Sequence, residues 1–313
     1  MSDPVFSRLA IIGVGLIGSS IARAAAEYGA AGEVVLYDAS PDVRARAREL
    51  GLGTIAPTLE AAVAEADCVI VCVPVGAIGA VAAGAVPAMK YGAILTDVGS
   101  VKSEAARALH DAGDGRIHVI PGHPIAGTEQ SGPEAGFPTL FRGAWHILTP
   151  LAGQDEAYQA ATDHLAAFWT RLGARVEAMD AARHDRVLAI TSHLPHLIAF
   201  NIVTTAFDLE SVEQGEVVKY SAGGFRDFTR IAASDPVMWR DVFLNNKDAV
   251  LECLGRFSED LAVLQRAIRW GDGDTLIREF TRARSIRKAI IDAGQDSSAI
   301  NFGRNAPEPD EPA

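Results

Sequence analysis

Over the first 180 positions, short continuous apolar runs alternate with stretches in which apolar residues recur at helical spacing. The runs Leu9 to Ile12, Val34 to Tyr37, Val69 to Val73, Ala93 to Thr96 and Ile117 to Ile120 read as strands buried on both faces. Between them lie predicted helices: an Ala-rich segment after Gly18, then Asp42 to Leu50, Leu59 to Ala64, about 76–90, and Val101 to Asp111. Ser40-Pro41 offers an N-cap and a first-turn proline to the second of these. Such alternation predicts a parallel sheet covered by helices on both sides. A strand at Trp145 to Leu148, an amphipathic helix over Glu156 to Leu172 and a strand at Arg175 to Ala178 complete the pattern. From Ala181 onward only helical periodicity remains, and Pro195, inside the first long segment, predicts a kink. Gly223-Gly224 precede Phe225 to Ala233, and Asp235-Pro236 cap a helix from Val237. Two long helices, about 245–269 and 275–291, flank Gly271-Asp272-Gly273. The predicted organisation is a domain over 1–179, an all-helical domain over 180–301 and a disordered, acidic, Pro-rich tail over 302–313.

The first strand runs into Gly13-x-Gly15-x-x-Gly18, and the second closes on Asp38. Gly13 permits a sharp turn, Gly15 leaves room for a pyrophosphate, and Gly18 lets helix and strand pack closely. Phosphates would meet the positive end of the following helix. Asp38, 20 residues past Gly18, would accept from ribose hydroxyls and repel a 2′-phosphate, which favours NAD over NADP. Together these features predict an α/β, Rossmann-type, doubly wound domain. Ligands in such sheets gather at the carboxyl ends of the strands.

Bulk properties narrow the function. A net charge of −12 argues against sequence-independent nucleic-acid binding and requires local cations wherever an anion is held. The N-terminal MSDPVFSR has no signal-like apolar segment, and no uninterrupted apolar stretch of membrane-spanning length is expected, so a cytoplasmic location is the default. Three cysteines make no disulfide framework. Cys68 and Cys72, four apart on one strand face, read as core residues.

Several side chains could carry chemistry. His123 follows a strand end between Gly122 and Pro124 and faces the cofactor edge, where a neutral imidazole can accept a proton. Ser100, in the loop after the preceding strand, either orients that histidine or caps a helix from Val101, with Glu104 one residue late for a capping box. No strained GxSxG turn surrounds Ser100, which disfavours hydrolase chemistry. Ser192-His193-Leu194-Pro195-His196 places two histidines three apart. His196, past the kink, is the better candidate to face a cleft, and a metal site is the lesser reading. Arg226 and Arg230 lie four apart, suited either to surface pairing with Asp227 or to carboxylate capture.

GVGLIG (13–18), DVGSVK (97–102), GHPIAGTEQSG (122–132), SHLPH (192–196) and GGFRDFTRIAASDPVMW (223–239) together resemble the prephenate and arogenate (cyclohexadienyl) dehydrogenases of tyrosine biosynthesis. The resemblance implies that His123 takes the proton of the C4 hydroxyl while hydride passes to NAD, with Ser100 assisting. It implies that Arg230 holds the ring carboxylate, that His196 and Ser192 meet the substrate, and that Thr128 and Glu129 belong to a loop controlling access. Arg226, Asp227 and Trp239 would border the site, Arg226 standing where some members carry lysine. Gly13, Gly15, Leu16, Ile17, Gly18 and Asp38 would contact the cofactor, joined by Val73, Pro74 and Ser100. The family also implies a mechanism without metal and a homodimer formed through the helical domain. Two alternatives stand beside it. One is a β-hydroxyacid dehydrogenase, whose catalytic lysine has no counterpart in the settings of Lys219 and Lys247. The other is a catalytically silent NAD-binding protein, with no reason to bring His123 and Arg230 together. Prephenate and arogenate differ at a side chain that no single residue here discriminates, Gln130 suiting either.

Overall fold

The structure is a computed structural model and describes residues 3–128, 130–213 and 223–292. Six strands form one parallel sheet: β1 (Phe6–Ile12), β2 (Ala31–Tyr37), β3 (Thr54–Ile55), β4 (Cys68–Val71), β5 (Ile94–Asp97) and β6 (His118–Val119). Their order, β3-β2-β1-β4-β5-β6, runs outward from β1 in one direction and then the other, so the carboxyl ends of β1 and β4 flank the crevice where such sheets bind ligands. The crossovers carry α1 (Leu16–Glu27), α2 (Pro41–Glu49), α3 (Leu59–Val63), α4 (Ile78–Ala85) and α5 (Ser103–Ala112). Side chains alternate along β1: Leu9 and Ile11 enter one core with Ile21, Leu36 and Trp169, while Ala10 and Ile12 enter the other with Val69, Leu95 and Leu109. A buried two-sided sheet requires this period of two. Cys68 lies in the first core and Cys72 packs against it, both as free thiols. Ser40 caps α2 through the Val43 amide, with Pro41 in its first turn, as its sequence predicts.

The remaining strands do not extend this sheet. β7 (Gly122–Pro124) pairs antiparallel with β8 (Trp145–Leu148), which pairs parallel with β9 (Arg175–Ala178) in a separate three-stranded sheet. His123 is therefore a strand residue opposite Ile147, not a loop residue beyond a strand end. Between β8 and β9 runs α6 (Glu156–Arg171), capped by Asp155 through the Tyr158 amide.

Helices follow: α7 (Ala181–Leu188), a π turn (Ala189–His193), α8 (Leu194–Glu213), α9 (Gly223–Thr229), a 3-10 turn (Arg230–Ala233), α10 (Pro236–Asn245), α11 (Lys247–Trp270) and α12 (Gly273–Asp292). The distortion expected at Pro195 takes the form of that π turn. Proline lacks an N–H and its ring crowds the carbonyl four residues back, and the widened turn relieves both. Residues 181–208 form a 28-residue helical run that is, by length and composition, long and apolar enough to cross a membrane, an 18-residue window within it having a mean hydropathy of 1.4, which corrects the expectation that no such stretch exists. Within that run, His184, Asp185 and His193 are buried in polar contacts with other parts of the protein. Contacts divide the chain into two compact units, Met1–Cys253 and Leu254–Ala313. The tail expected to be disordered, 302–313, lies outside the described residues.

Candidate active site

The glycine-rich turn has the shape its spacing predicts. Gly13 has φ +97°, and a Cβ there would lie 2.3 Å from the Cys72 carbonyl oxygen. A Cβ on Gly18 would lie 2.0 Å from the Gly13 carbonyl oxygen, whereas one on Gly15 meets nothing within 4 Å. Gly15 is the N-cap of α1, whose first turn has neither a side-chain cap nor an acidic residue, so its amides and positive end are open to an anion. Asp38 is anchored beside this turn, its two carboxylate oxygens accepting from the Val14 and Ser40 amides at 2.9 Å each. The residues present fit a dinucleotide. Leu16 and Ile17 start α1 half-buried. Half-buried Val73 and exposed Pro74 follow β4.

At the end of β5 sits a wholly buried ion pair, Asp97 with the Lys102 ammonium. Asp97 also accepts from the Gly99 amide at 2.8 Å and the Gly122 amide at 3.2 Å, and the Lys102 ammonium donates to the Gly122 carbonyl at 2.6 Å. The pair thus clamps β5 to the residue preceding His123. Gly122 is required there, because a Cβ would stand 2.7 Å from Nε2 of His146 on β8. Burial, followed by the charges of His184, Lys102, His146 and His193, holds the His123 pKa well below the usual 6.5, so this ring is neutral at neutral pH.

His123 Nδ1 is 2.9 Å from Nε2 of His184, and His184 Nδ1 is 2.9 Å from Oδ1 of Asp185. The Asp185 carboxylate also accepts from the Lys102 amide at 2.7 Å and the Ser103 amide at 2.8 Å. Burial works to raise the Asp185 pKa, but hydrogen bonds from His184, Lys102 and Ser103 outweigh it and hold the carboxyl low. Asp185, from 82 residues away, therefore caps α5. Ser100 does not: α5 starts at Ser103, and the partner on Nδ1 of His123 is His184 rather than the Ser100 hydroxyl.

The cluster continues through Asn246. Its Nδ2 donates to the Asp185 carbonyl at 2.9 Å and lies 3.1 Å from Nδ1 of His193. Burial pulls the His193 pKa down to about 4, against the pull of Asp185 and the Ser100 backbone. Of the two histidines in SHLPH, His193 is wholly buried and His196 half-buried. His196 Nδ1 donates to the Ser192 carbonyl at 2.8 Å, leaving Nε2 as the acceptor nitrogen, and its ring stacks on Trp239 at 3.8 Å between centroids. Burial lowers the His196 pKa, the Ser192 carbonyl opposes this, and the charge of Arg230 lowers it further, so Arg230 belongs electrostatically to the same cluster. Trp239 packs with Val101, Val242 and Val75, which joins α10 to the carboxyl ends of β4 and β5.

Other expected residues are more peripheral. Thr128 is exposed and its hydroxyl accepts from the Gln130 amide at 3.2 Å. Glu129 lies outside the described residues. Arg226 and Asp227 are exposed on α9, whereas Arg230 opens the 3-10 turn, so the two arginines do not share one continuous helix as their spacing suggests. The residues missing from the sequence reading are Asp97, Lys102, His184, Asp185 and Asn246. Only Asp97 and Lys102, the two ends of the DVGSVK motif, carried a local signal. A cavity of about 490 Å3, lined by Tyr91, His110, Arg116 and Tyr158, lies at the amino ends of β5 and β6, the edge opposite this cluster.

Known proteins resemble this chain in sequence and in fold. The family model described as prephenate dehydrogenase, nucleotide-binding domain, matches residues 21–178, and that described as prephenate dehydrogenase, dimerization domain, matches residues 180–282. A cyclohexadienyl dehydrogenase of Zymomonas mobilis is 45% identical over 287 residues, covering 91% of this chain and 97% of that protein. A prephenate dehydrogenase of Bacillus subtilis is 32% identical, covering 90% and 75%. The crystal structure of prephenate dehydrogenase from Aquifex aeolicus, in complex with hydroxyphenyl propionate and NAD+, superposes with a TM-score of 0.83 at 33% identity, covering 93% of this chain and 99% of that one.

Proposed function

This chain belongs to the prephenate dehydrogenase family, and on that premise we propose that it catalyses the NAD-dependent oxidative decarboxylation of prephenate, arogenate or both, giving 4-hydroxyphenylpyruvate or tyrosine. The observation that carries this reading is the buried run Asp185–His184–His123, ending at an Nε2 with no hydrogen-bond partner among the described residues. His123 Nε2 takes the proton of the C4 hydroxyl as that carbon is oxidised. Bound NAD supplies the hydride acceptor. Loss of CO2 then leaves the electron pair in the ring, which becomes aromatic, and His123 returns the proton to the phenolate oxygen. Arg230 holds the ring carboxylate until it departs, which suits guanidinium geometry. His196, braced by Trp239, presents its acceptor nitrogen to the substrate. Ser100 assists His123. Ser192, Thr128, Arg226 and Asp227 border the site.

Reduced cofactor, followed by absorbance for prephenate and arogenate each with NAD and NADP, tests the proposal. We expect turnover with NAD and at least one substrate; four flat traces would overturn the reading. Asp38 favours NAD, but Arg44, which donates to the Asp38 carbonyl at 2.5 Å, keeps a cation beside the turn and makes the NADP traces informative. Arg230→Ala is expected to raise KM about 10²-fold with kcat within about threefold, the signature of lost uniform binding. A kcat loss without a KM change would remove Arg230 from carboxylate capture. The β-hydroxyacid dehydrogenase alternative needs a lysine at the reacting carbon; Lys247 instead heads α11, Lys102 is bound to Asp97, and Lys219 lies outside the described residues.

A homodimer and a cytoplasmic location complete the reading. The dimerization-domain match extends to residue 282, and Ile268, Trp270, Ile277 and Phe280 in the second unit are each more than half exposed. Light scattering is expected to give twice the 33.0 kDa of one chain, falling toward 33.0 kDa in Ile268→Asp/Ile277→Asp. A parent mass of one chain removes the dimer.

A further inference from the structure

We infer that His184, held by Asp185, is a positioning residue that sets the tautomer of His123 and thereby makes Nε2 of His123 the nitrogen that accepts the substrate proton. The inference rests on the function proposed above and goes one residue deeper into the same site.

The direction of these hydrogen bonds is fixed at Asp185. Its two oxygens receive backbone amides of Lys102 and Ser103, and an ionised carboxylate has no proton to give. At 2.9 Å from that carboxylate, His184 Nδ1 is therefore the donor. A neutral imidazole carries one N–H, so His184 Nε2 presents a lone pair. The atom facing it at 2.9 Å, His123 Nδ1, must then carry the proton, because two lone pairs at that distance repel. Nε2 of His123 is left as the acceptor. The carboxylate of a Ser–His–Asp triad acts on its imidazole by the same logic. Here an extra imidazole lies between, and carboxylate and base are 62 positions apart in the chain.

The device is rigid. His184 is 0% exposed, and Asp185 is fixed through its side chain by the start of α5 and through its carbonyl by Asn246. The alternative state has His184 protonated on both nitrogens. The pair then reverses, His123 carries its proton on Nε2, and it can take none from the substrate.

The two states differ in a measurable way. Long-range 1H–15N correlation spectra of the 15N-histidine enzyme, with the His123 signals assigned by their loss in His123→Asn, read which nitrogen is protonated. We expect Nδ1–H in the parent and loss of that preference in His184→Leu. In His184→Leu, kcat is expected to fall about 10²-fold, at the low end of what a general base contributes, with KM changing less than about threefold. His184→Gln, whose amide oxygen can accept from Nδ1–H, is expected to recover roughly tenfold of that loss. If His184→Leu does not fold, as judged by circular dichroism, the parent spectrum and His184→Gln still decide the matter. An Nε2–H tautomer in the parent, or parental kcat in His184→Leu, overturns the inference. Four flat substrate traces defeat the function while leaving the tautomer result standing; an active parent with Nε2–H His123 defeats only this inference.

Discussion

His123→Asn is expected to lower kcat by about 10³-fold, within the range a positioned general base contributes, while KM for the substrate stays within about threefold. Asparagine keeps a polar side chain at this position on β7 but cannot take up a proton. Substrate binding is assigned to Arg230, His196 and Trp239, which lie on helical elements and are untouched by the change. The parent enzyme carries a companion expectation. Burial and the surrounding His184, Lys102, His146 and His193 keep His123 unprotonated well below pH 6.5. The limb of the kcat/KM profile that reports this base therefore lies well below 6.5, and the profile is flat in this group from pH 8 down to 6.5. Variant turnover equal to the parent's would remove His123 from the role of base.

The folded state is expected to lose stability steeply as the pH falls from about 6.5 toward 4. His123, His146 and His193 are all buried with pKa values below the usual 6.5, burial being the first cause in each case, and His193 is at about 4. In the unfolded chain these imidazoles take up protons near 6.5, whereas in the native state they do not until lower pH. The unfolded state binds the additional protons, so the stability is fully present above about 6.5 and is lost as the pH falls through the native values. Each ring contributes up to about 1.4 kcal/mol per pH unit, and three together at most about 4 kcal/mol per unit. Against a typical total of about 5–15 kcal/mol, that is enough to unfold the protein. His146 is the most telling of the three. Among the described residues neither of its nitrogens has a hydrogen-bond partner, and its ring lies flat on Trp169 with centroids 3.8 Å apart. His146→Phe keeps the stack and removes the proton site, so it should flatten the pH dependence by about a third. Urea midpoints at pH 7.5 and 5.0 for parent and variant measure this. A midpoint independent of pH sinks the expectation.

How much of this was legible in the residues depends on the range of the interaction. The glycine turn, Asp38, the Ser40 cap and the helix start at Asp235-Pro236 are local: spacing within a few residues sets their backbone geometry, and each is found where its spacing puts it. Of the residues the longer motifs marked, His196 feels the charge of Arg230 and His123 that of His193. The separate sheet β7-β8-β9 was not legible, since an apolar run shows that a strand is buried but not which strand it pairs with.

The sequence by itself determined the alternation of strands and helices, the shape of the glycine turn and the histidine we propose as the base. Tertiary structure alone decided what meets that histidine. In an unbroken α-helix, His184 and His193 would lie roughly half a turn apart, at about 100° per residue. The π turn at Ala189–His193 changes that phase, and Asn246 reaches both His193 and Asp185. Asp185 likewise looks like half of a local His-Asp pair until the chain folds and the start of α5 claims its carboxylate. Hydrophobic period records which face of an element is buried. It does not record the long-range donor that a buried carboxylate or imidazole must find, and that partner sets the protonation state on which the chemistry depends.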